Sequence, residues 1–576
     1  MNDAVLIFTF SPVQSFISEA RRTGDLYAGS RILTSLAAAA FRAITDAGGN
    51  PVYPAKHAAD RSEDIPNKLV AVVPGDRAAE VGRAAEEALH RRWGEIAQQA
   101  LDEMTKRGIP GRDDPVWRAI WDRQTAPGYL WQCFWAAAPI GSDGYSGAYR
   151  LASSVVDASK RSRVFPPAEE PGDKDALSGR RQALHRRGEK ARDYWAAAAE
   201  RVTGAMLRPD GRERLDAIGA IKRFWPHGAS FDSTSTVAAS RFLDVAQERA
   251  GPSLARYREQ LESVLGDYLY QPRAYDHDWP YDGDLLFEDT LAPQRLRNSY
   301  HVSLDSAALE GPRSALKELY HAAKASPSPY YAVIVLDGDS MGELISKLLD
   351  GPKARADHEC LGSSLAEFSS KVGGLAAKHQ ARVIYNGGDD VLALAPAGSA
   401  LRFAHALACE FNRFTDATAS AGIAIAHHLS PLDAALEAAR EAERQAKKVR
   451  DKGAVCVTLM RRGGEHTTAR GRWEAVMPRL EEVVKYLRGG LSGRCAYDVA
   501  RLAYSLEGPG DMLRSELKRL LSRYEGAPAE PSPKDLACRL NCWAAELPEG
   551  VKGLADWLII ARFLAGEWGG DNAAVP

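Results

Sequence analysis

Residues 385–394, Y-N-G-G-D-D-V-L-A-L, constrain the fold of this chain more than any other stretch. Asn-Gly is a strong signal for a tight hairpin turn, because its central positions need a backbone that tolerates positive φ. The flanks A-R-V-I-Y and V-L-A-L-A-P are apolar runs of strand length, so the segment reads as two antiparallel strands joined at N-G-G-D-D. That turn carries adjacent carboxylates, Asp389 and Asp390. Like charges about 4 Å apart repel by ~4 kcal/mol at an effective dielectric near 20. Water or a cation must therefore separate them.

The elements around the hairpin alternate. Y-Y-A-V-I-V-L-D is a β-branched apolar run that reads as a buried strand ending at Asp337. Helical patterns follow at 341–349 and 365–379, and again at 399–415 beyond the hairpin. A-T-A-S-A-G-I-A-I-A-H-H reads as a strand, Pro431 opens a charged amphipathic helix, and A-V-C-V-T-L-M closes the unit as a strand. The order is β-α-β-β-α-β with an appended helix and strand, a ferredoxin-like arrangement with helices on one face of an antiparallel sheet. It brings the end of the first strand beside the hairpin turn, so Asp337 is expected to meet Asp389 and Asp390.

A fainter copy of the same pattern occupies the N-terminal part. A-V-L-I-F-T-F, P-V-Y-P-A, K-L-V-A-V-V-P and G-Y-L-W-Q-C-F-W-A-A-A read as strands, with helical stretches at 13–45 and 77–105. Ser11 stands where Asp337 stands in the later copy, and the hairpin turn lacks adjacent acids. The expected class is α+β and multidomain: a degenerate palm-like domain (1–160), a mostly helical linking domain (161–325), a catalytic palm or cyclase domain (326–465) and a C-terminal helical domain (466–576). The linking domain holds the loop P-P-A-E-E-P-G-D-K-D and a basic helix bearing Arg180, Arg181, Arg186, Arg187, Lys190 and Arg192. G-A-P-A-E-P-S-P breaks the last domain.

At 576 residues the chain exceeds a single core. Its 74 basic and 76 acidic residues leave a formal charge of −2, which excludes a polycation built to coat nucleic acid. The N-terminus has no basic leader, and no apolar run approaches the ~20 residues of a membrane helix. The expectation is a cytoplasmic protein without a membrane partner. The seven cysteines are scattered; Cys538 and Cys542, at i, i+4 in an apolar segment, are expected to be buried free thiols, not a metal pair.

Asp337, Asp389 and Asp390 are the candidate metal ligands and catalytic residues. Mg²⁺ takes one or two carboxylates plus substrate phosphates, and two such ions can activate a hydroxyl and stabilise a departing pyrophosphate. Gly387 and Gly388 would admit a triphosphate to the hairpin backbone. Asp339 and Ser340 complete the nucleotide-binding candidates, Asp339 having the alternative of capping the helix that starts near Ser340. Lys447 or Lys448, late on the helix after Pro431, could reach phosphates or lie on a solvated face. Hydroxyls of residues 230–236 could bind phosphate or cap a helix, the basic helix could track RNA, and His277 with Asp278 is a weak metal candidate.

G-G-D-D after L-D-G-D-S-M-G, together with the opening F-S-P-V-Q-S-F-I-S-E-A-R-R-T-G-D-L-Y-A-G-S, closely resembles the large subunit of type III-B CRISPR effector complexes, the polymerase/cyclase signature protein of the Cmr complex. G-D-K-D-A-L-S-G-R-R-Q-A-L, R-E-R-L-D-A-I-G-A-I-K-R-F-W-P, S-T-S-T-V-A-A-S-R-F and S-A-G-I-A-I-A-H-H extend the likeness to about residue 465. The resemblance implies two palm-like domains and conversion of ATP to cyclic oligoadenylate when the complex, with its other subunits and guide crRNA, binds target RNA. It implies Mg²⁺ or Mn²⁺ on Asp337, Asp389 and Asp390, with Lys447 on phosphate. Two departures stand out: the P-V-Q motif begins at Pro12, leaving no room for the HD nuclease domain of many relatives, and Asp175 and Ser178 replace a cysteine pair, so no zinc is expected. The alternatives are a non-catalytic RNA-binding scaffold of the same kind of complex, and a template-directed polymerase or diguanylate cyclase.

Overall fold

The computed structural model describes residues 3–55, 65–162, 170–202, 206–228, 231–269, 279–503, 510–523 and 532–567. His277, Asp278, Ser230, the start of the P-P-A-E-E loop and most of G-A-P-A-E-P-S-P lie outside them.

The first sheet contains β1 (Asp3–Ser11), β2 (Asn50–Tyr53), β3 (Lys68–Pro74) and β4 (Gln132–Pro139) in the order β2-β3-β1-β4, all antiparallel. β1 is apolar on both faces for a reason. Leu6, Phe8 and Phe10 join the core under the helices Thr23–Asp46 and Ala78–Lys106, while Val5 and Ile7 face Tyr145 and Tyr149 of the helix Gly144–Arg161. A strand buried on both sides loses the alternation of a half-exposed one.

The second sheet contains β5 (Tyr330–Gly338), β6 (Arg382–Asn386), β7 (Asp390–Pro396), β8 (Ala419–His427), β9 (Ala454–Met460) and β10 (His466–Arg472), ordered β10-β9-β8-β5-β7-β6. Only β8 and β9 run parallel. Helices cover both faces, not one. Ile334, Leu336, Val391 and Ala393 pack with the helices Ala354–Lys378 and Ala397–Thr415, whereas Val333, Leu392 and Leu394 share a core with Leu432–Ala446 and Thr234–Leu265. β10 falls where helix was expected. H-T-T-A-R-G-R is an edge strand whose buried positions are only Thr467, Ala469 and Gly471, a pattern too polar to register as sheet.

The basic segment 180–192 is not a helix. Gly179 (φ +63°) and Gly188 (φ +74°) turn the chain through left-handed conformations, and helix begins only at Ala191. Arg181 is withdrawn into ion pairs with Glu19 and Asp216, and Arg186 pairs with Glu189 at 2.9 Å. These charges hold the linking region together instead of forming one basic face. Asp175 and Ser178 hydrogen-bond each other, Ser178 Oγ donating to Asp175 Oδ1 at 2.6 Å. They close a turn.

The C-terminal helices, from Trp473–Arg488 to Gly550–Glu567, pack into the same core as the second sheet. Cys538 and Cys542 are exposed, contrary to expectation, because the helix Pro533–Glu546 turns Leu536, Leu540 and Trp543 inward instead. No helix among the described residues is long and apolar enough to cross a membrane. The two sheets meet where β2 crosses the helix Ala354–Lys378: a Cβ on Gly362 would lie 3.0 Å from the Val52 carbonyl oxygen.

Candidate active site

Sheet register brings the acids together. Asp337, near the end of β5, is the cross-strand partner of Asp390, the first residue of β7. Direct antiparallel partners place their side chains on one face. The Gly338 amide donates to the Asp389 carbonyl at 2.8 Å, and the Gly387 amide donates to the Asp390 carbonyl at 2.8 Å, so the turn is tied to both flanking strands. Gly388 takes φ +98°, where side chains are strained. Gly387 is crowded instead: an added Cβ would lie 2.7 Å from the Tyr385 ring. Asn386 anchors the turn from below through reciprocal 3.1 Å bonds with Ser369.

The helix Leu432–Ala446 supplies the cation. β8 carries Gly422 where this helix crosses, and a Cβ there would lie 2.7 Å from Glu443 Cα, nearer still to the Glu443 amide and the Ala439 carbonyl. The close crossing sets Lys447 Nζ 2.6 Å from Asp337 Oδ1 and 3.1 Å from Glu443 Oε1. The electrostatics follow from this crowding. Burial, then Asp337, Asp389 and Glu443, push the Asp390 carboxyl up to about 8. Burial and Asp337 raise Asp389 as well. Burial alone would lower Lys447, but Asp337 and Glu443 outweigh it and hold the ammonium above its ordinary value.

Asp339 and Ser340 are each bonded to partners outside this cluster, Asp339 through one of its two carboxylate oxygens. Asp339 is buried, and its Oδ2 accepts from Thr418 Oγ1 at 2.8 Å, Ser420 Oγ at 3.0 Å and the Gly453 amide at 2.9 Å. It ties the end of β5 to β8 and to the start of β9 and caps no helix. Ser340, at φ +53°, accepts from Lys452 Nζ at 2.7 Å. Lys448 is exposed. Within the hydroxyl-rich stretch, Ser233 caps the helix Thr234–Leu265 and donates to Asp282 at 2.7 Å, and Thr234 donates to the His428 carbonyl. Those groups are already engaged.

Several residues at the site had not been anticipated. Glu443 precedes Lys447 by one helical turn, a spacing that the sequence displays. Arg440, beside Asp390, donates to the Gln14 carbonyl at 3.1 Å and so links this helix to the first domain. Lys68 and Tyr53 of the first domain act electrostatically with Asp389. No sequence spacing could reveal them, since a domain contact brings them there.

Among the described residues, no three His, Cys, Asp or Glu side chains are gathered closely enough to hold a metal ion by themselves. The three aspartates fit an open site better than a cage: they share one sheet end, repel one another, and are partly neutralised by Lys447. A hard cation completed by substrate phosphates suits such a donor set.

Comparison with known proteins finds a domain match over part of each sheet. Residues 330–456 match the family described as Cas10/Cmr2, second palm domain, and residues 5–98 match CRISPR-associated protein Cmr2, N-terminal. The CRISPR system Cmr subunit Cmr2 of Pyrococcus furiosus is 24% identical over 605 aligned residues, covering 88% of this chain and 68% of that protein. Among solved structures, a chain of the type III-B Cmr-β apo state superposes with a TM-score of 0.60 at 12% identity, covering 95% of this chain and 82% of that one. A chain of type III-B Cmr-β bound to cognate target RNA gives 0.60 at 13% identity, with 91% and 78% covered. These last two likenesses are of fold. Two Cmr2-type domain matches in chain order, with an alignment to a Cmr2 subunit over 88% of this chain, mark this protein as a homologue of Cmr2.

Proposed function

We propose that this chain is the catalytic large subunit of a type III CRISPR ribonucleoprotein, converting ATP to cyclic oligoadenylate by metal-dependent nucleotidyl transfer. The cross-strand pairing of Asp337 with Asp390, beside Lys447, carries the reading. Both sheets are read as ferredoxin-like palms, in keeping with the orders β2-β3-β1-β4 and β6-β7-β5-β8. Other Cmr-type subunits, guide crRNA and target RNA are the proposed partners, and the cytoplasm the proposed compartment. The target-RNA-bound Cmr-β structure supports this assignment by likeness of fold.

Asp337, Asp389 and Asp390 would hold Mg²⁺ or Mn²⁺, which supplies activation of a ribose hydroxyl and charge neutralisation at the departing pyrophosphate. Such a cation would offset the repulsion among these acids and hold Asp390, raised by burial and its neighbours, in the ionised form that can ligate it. Lys447, once a cation took over Asp337, would be free to neutralise phosphate oxygens while Glu443, 3.1 Å from its Nζ, steadies the ammonium. Gly388, at φ +98°, gives the turn a backbone with no side chain of its own toward phosphates, and Gly387 leaves room for the Tyr385 ring beside it. Positioning and electrostatic stabilisation account for most of such a rate enhancement.

The test is incubation of the assembled complex with ATP and Mn²⁺, with and without target RNA. Target-dependent cyclic oligoadenylate is expected from the unmodified chain and none from Asp389→Ala with Asp390→Ala, while assembly stays intact. Undiminished synthesis by that variant would refute the assignment.

A further inference from the structure

Two cavities, of 1440 and 680 Å³, open on either side of Trp225, Pro226 and His227, which line both. The larger lies among residues 18–25, the end of the helix Ala217–Phe224 and the loop 428–433; the smaller runs between the helices Thr23–Asp46 and Ala78–Lys106. Small-molecule pockets occupy about 300–1,000 Å³. The combined groove is sized for an extended ligand.

Its charge has a pattern. Arg22 and Arg223, which line the larger cavity, are neutralised, Arg223 by Asp25 at 2.6 Å and Glu213 at 2.8 Å and Arg22 by Glu213 at 3.1 Å, while the lining Glu19 is taken up by Arg181. Arg92 and Arg107 pair with Glu95 and Glu103. Arg21 and Arg208 in the larger cavity, and Arg31, Arg42 and Arg91 in the smaller, form no ion pair with any described residue. The lining carboxylates are mostly engaged, Asp282 by Ser233, leaving Asp46 and Asp433. Five guanidinium groups without a counter-charge against three carboxylates without a cation, Asp46, Asp282 and Asp433, in a chain of net charge −2, mark a track for a polyanion.

The junction adds a stacking surface. Phe231 stacks on Tyr27 with centroids 4.9 Å apart, His227 meets Tyr27 edge-on at 5.6 Å, and Trp225 lies 5.7 Å from His227. Phe231 and His227 are only half-buried. Aromatic rings within a basic groove are the arrangement that holds unpaired bases and their phosphates together. A duplex presents its phosphates but not its base faces.

We propose that this groove binds a single-stranded RNA segment, its bases against Trp225, His227 and Phe231 and its phosphates along Arg21, Arg31, Arg42, Arg91 and Arg208. The proposal rests on the reading of this chain as a subunit of an RNA-containing complex, and names where RNA lies. It also relocates the contact from the 180–192 segment, whose arginines are partly spent on internal pairs.

The experiment titrates the full-length chain into a fluorescein-labelled 12-nucleotide single-stranded RNA across a salt series, beside a blunt duplex of the same sequence. Contacts with five phosphates give a slope of log affinity on log salt of roughly −3.5. Arg31→Gln, Arg42→Gln and Arg91→Gln together, all on solvent-facing helix surfaces, should reduce that slope by about 2 and weaken binding at least about tenfold. A 4-thiouridine version of the RNA should crosslink the unmodified chain at Trp225, His227 or Phe231, a readout independent of how the variant folds. Unchanged binding by the triple variant, or crosslinks confined elsewhere, would overturn the groove and leave the RNA partnership standing. Absence of RNA binding by the unmodified chain, as expected if an acidic protein surface filled the groove, would overturn both. Preference for the duplex would overturn the single-strand assignment.

Discussion

Gly422→Ala isolates the geometry that joins fold to chemistry. Its added Cβ would sit 2.7 Å from Glu443 Cα, where ordinary contact begins at 3.4 Å. Every nearby atom belongs to the backbone of the helix Leu432–Ala446, so no side chain can rotate away. Because the Glu443 amide and the Ala439 carbonyl lie nearer still, that helix must retreat by more than about 1 Å, and overpacking of this kind costs ~1–3 kcal/mol. The retreat carries Glu443 and Lys447 away from Asp337 and Asp390. Misplacement by about 1 Å can cost ~100-fold in rate, so cyclic oligoadenylate synthesis by the assembled complex should fall roughly 10- to 100-fold. Denaturant unfolding and product formation measured on the same preparation separate the two effects. A variant with unchanged midpoint and unchanged rate would show that the helix does not bear on the acids as described.

Three further outcomes are expected. Lys447→Met removes the ammonium that competes for Asp337, so Mn²⁺ binding without nucleotide, followed by calorimetry, should tighten about 2- to 5-fold, the worth of a half-exposed ion pair, while turnover falls; weaker Mn²⁺ binding would contradict this. Arg223→Ala leaves Asp25 buried without its partner and Glu213 with Arg22 alone and should cost ~3–5 kcal/mol in urea titration. His358, held at 2.9 Å by Tyr145 between the two domains, is lowered by burial to about 4. The folded chain therefore takes up that proton less readily than the unfolded one, and stability is lost as pH falls from about 6.5 through 4, by up to ~3 kcal/mol. His358→Gln should flatten this limb, and an identical pH profile would show that His358 does not contribute it.

Much of the second sheet was readable from local pattern, because each of its signals is short-ranged. N-G-G marks the hairpin, Y-Y-A-V-I-V-L-D an interior strand and P-L-D-A-A-L a helix start, and their order already points Asp337 toward Asp389 and Asp390. β10 escaped notice because the buried positions of its alternation are Thr467, Ala469 and Gly471, none of them strongly apolar, so the period shows in burial and not in sequence. The basic segment 180–192 misled for a related reason: charge spacing says nothing about partners, and Arg181 found Glu19 and Asp216 far away in sequence. Asp339 likewise appeared available for nucleotide until β8 and β9 folded against it.

By itself, then, the sequence determined which residues turn, which run as strand or helix, and which acids end up on a common sheet edge, since backbone conformation and side-chain periodicity are local properties. Tertiary structure alone decided the electrostatic surroundings: Lys447 and Glu443 against the acids, Tyr53 and Lys68 arriving from the other domain, and five arginines left without a counter-charge along a groove. Coulomb interactions and burial depend on distance in space, and folding sets that distance by packing faces that no stretch of sequence holds alone.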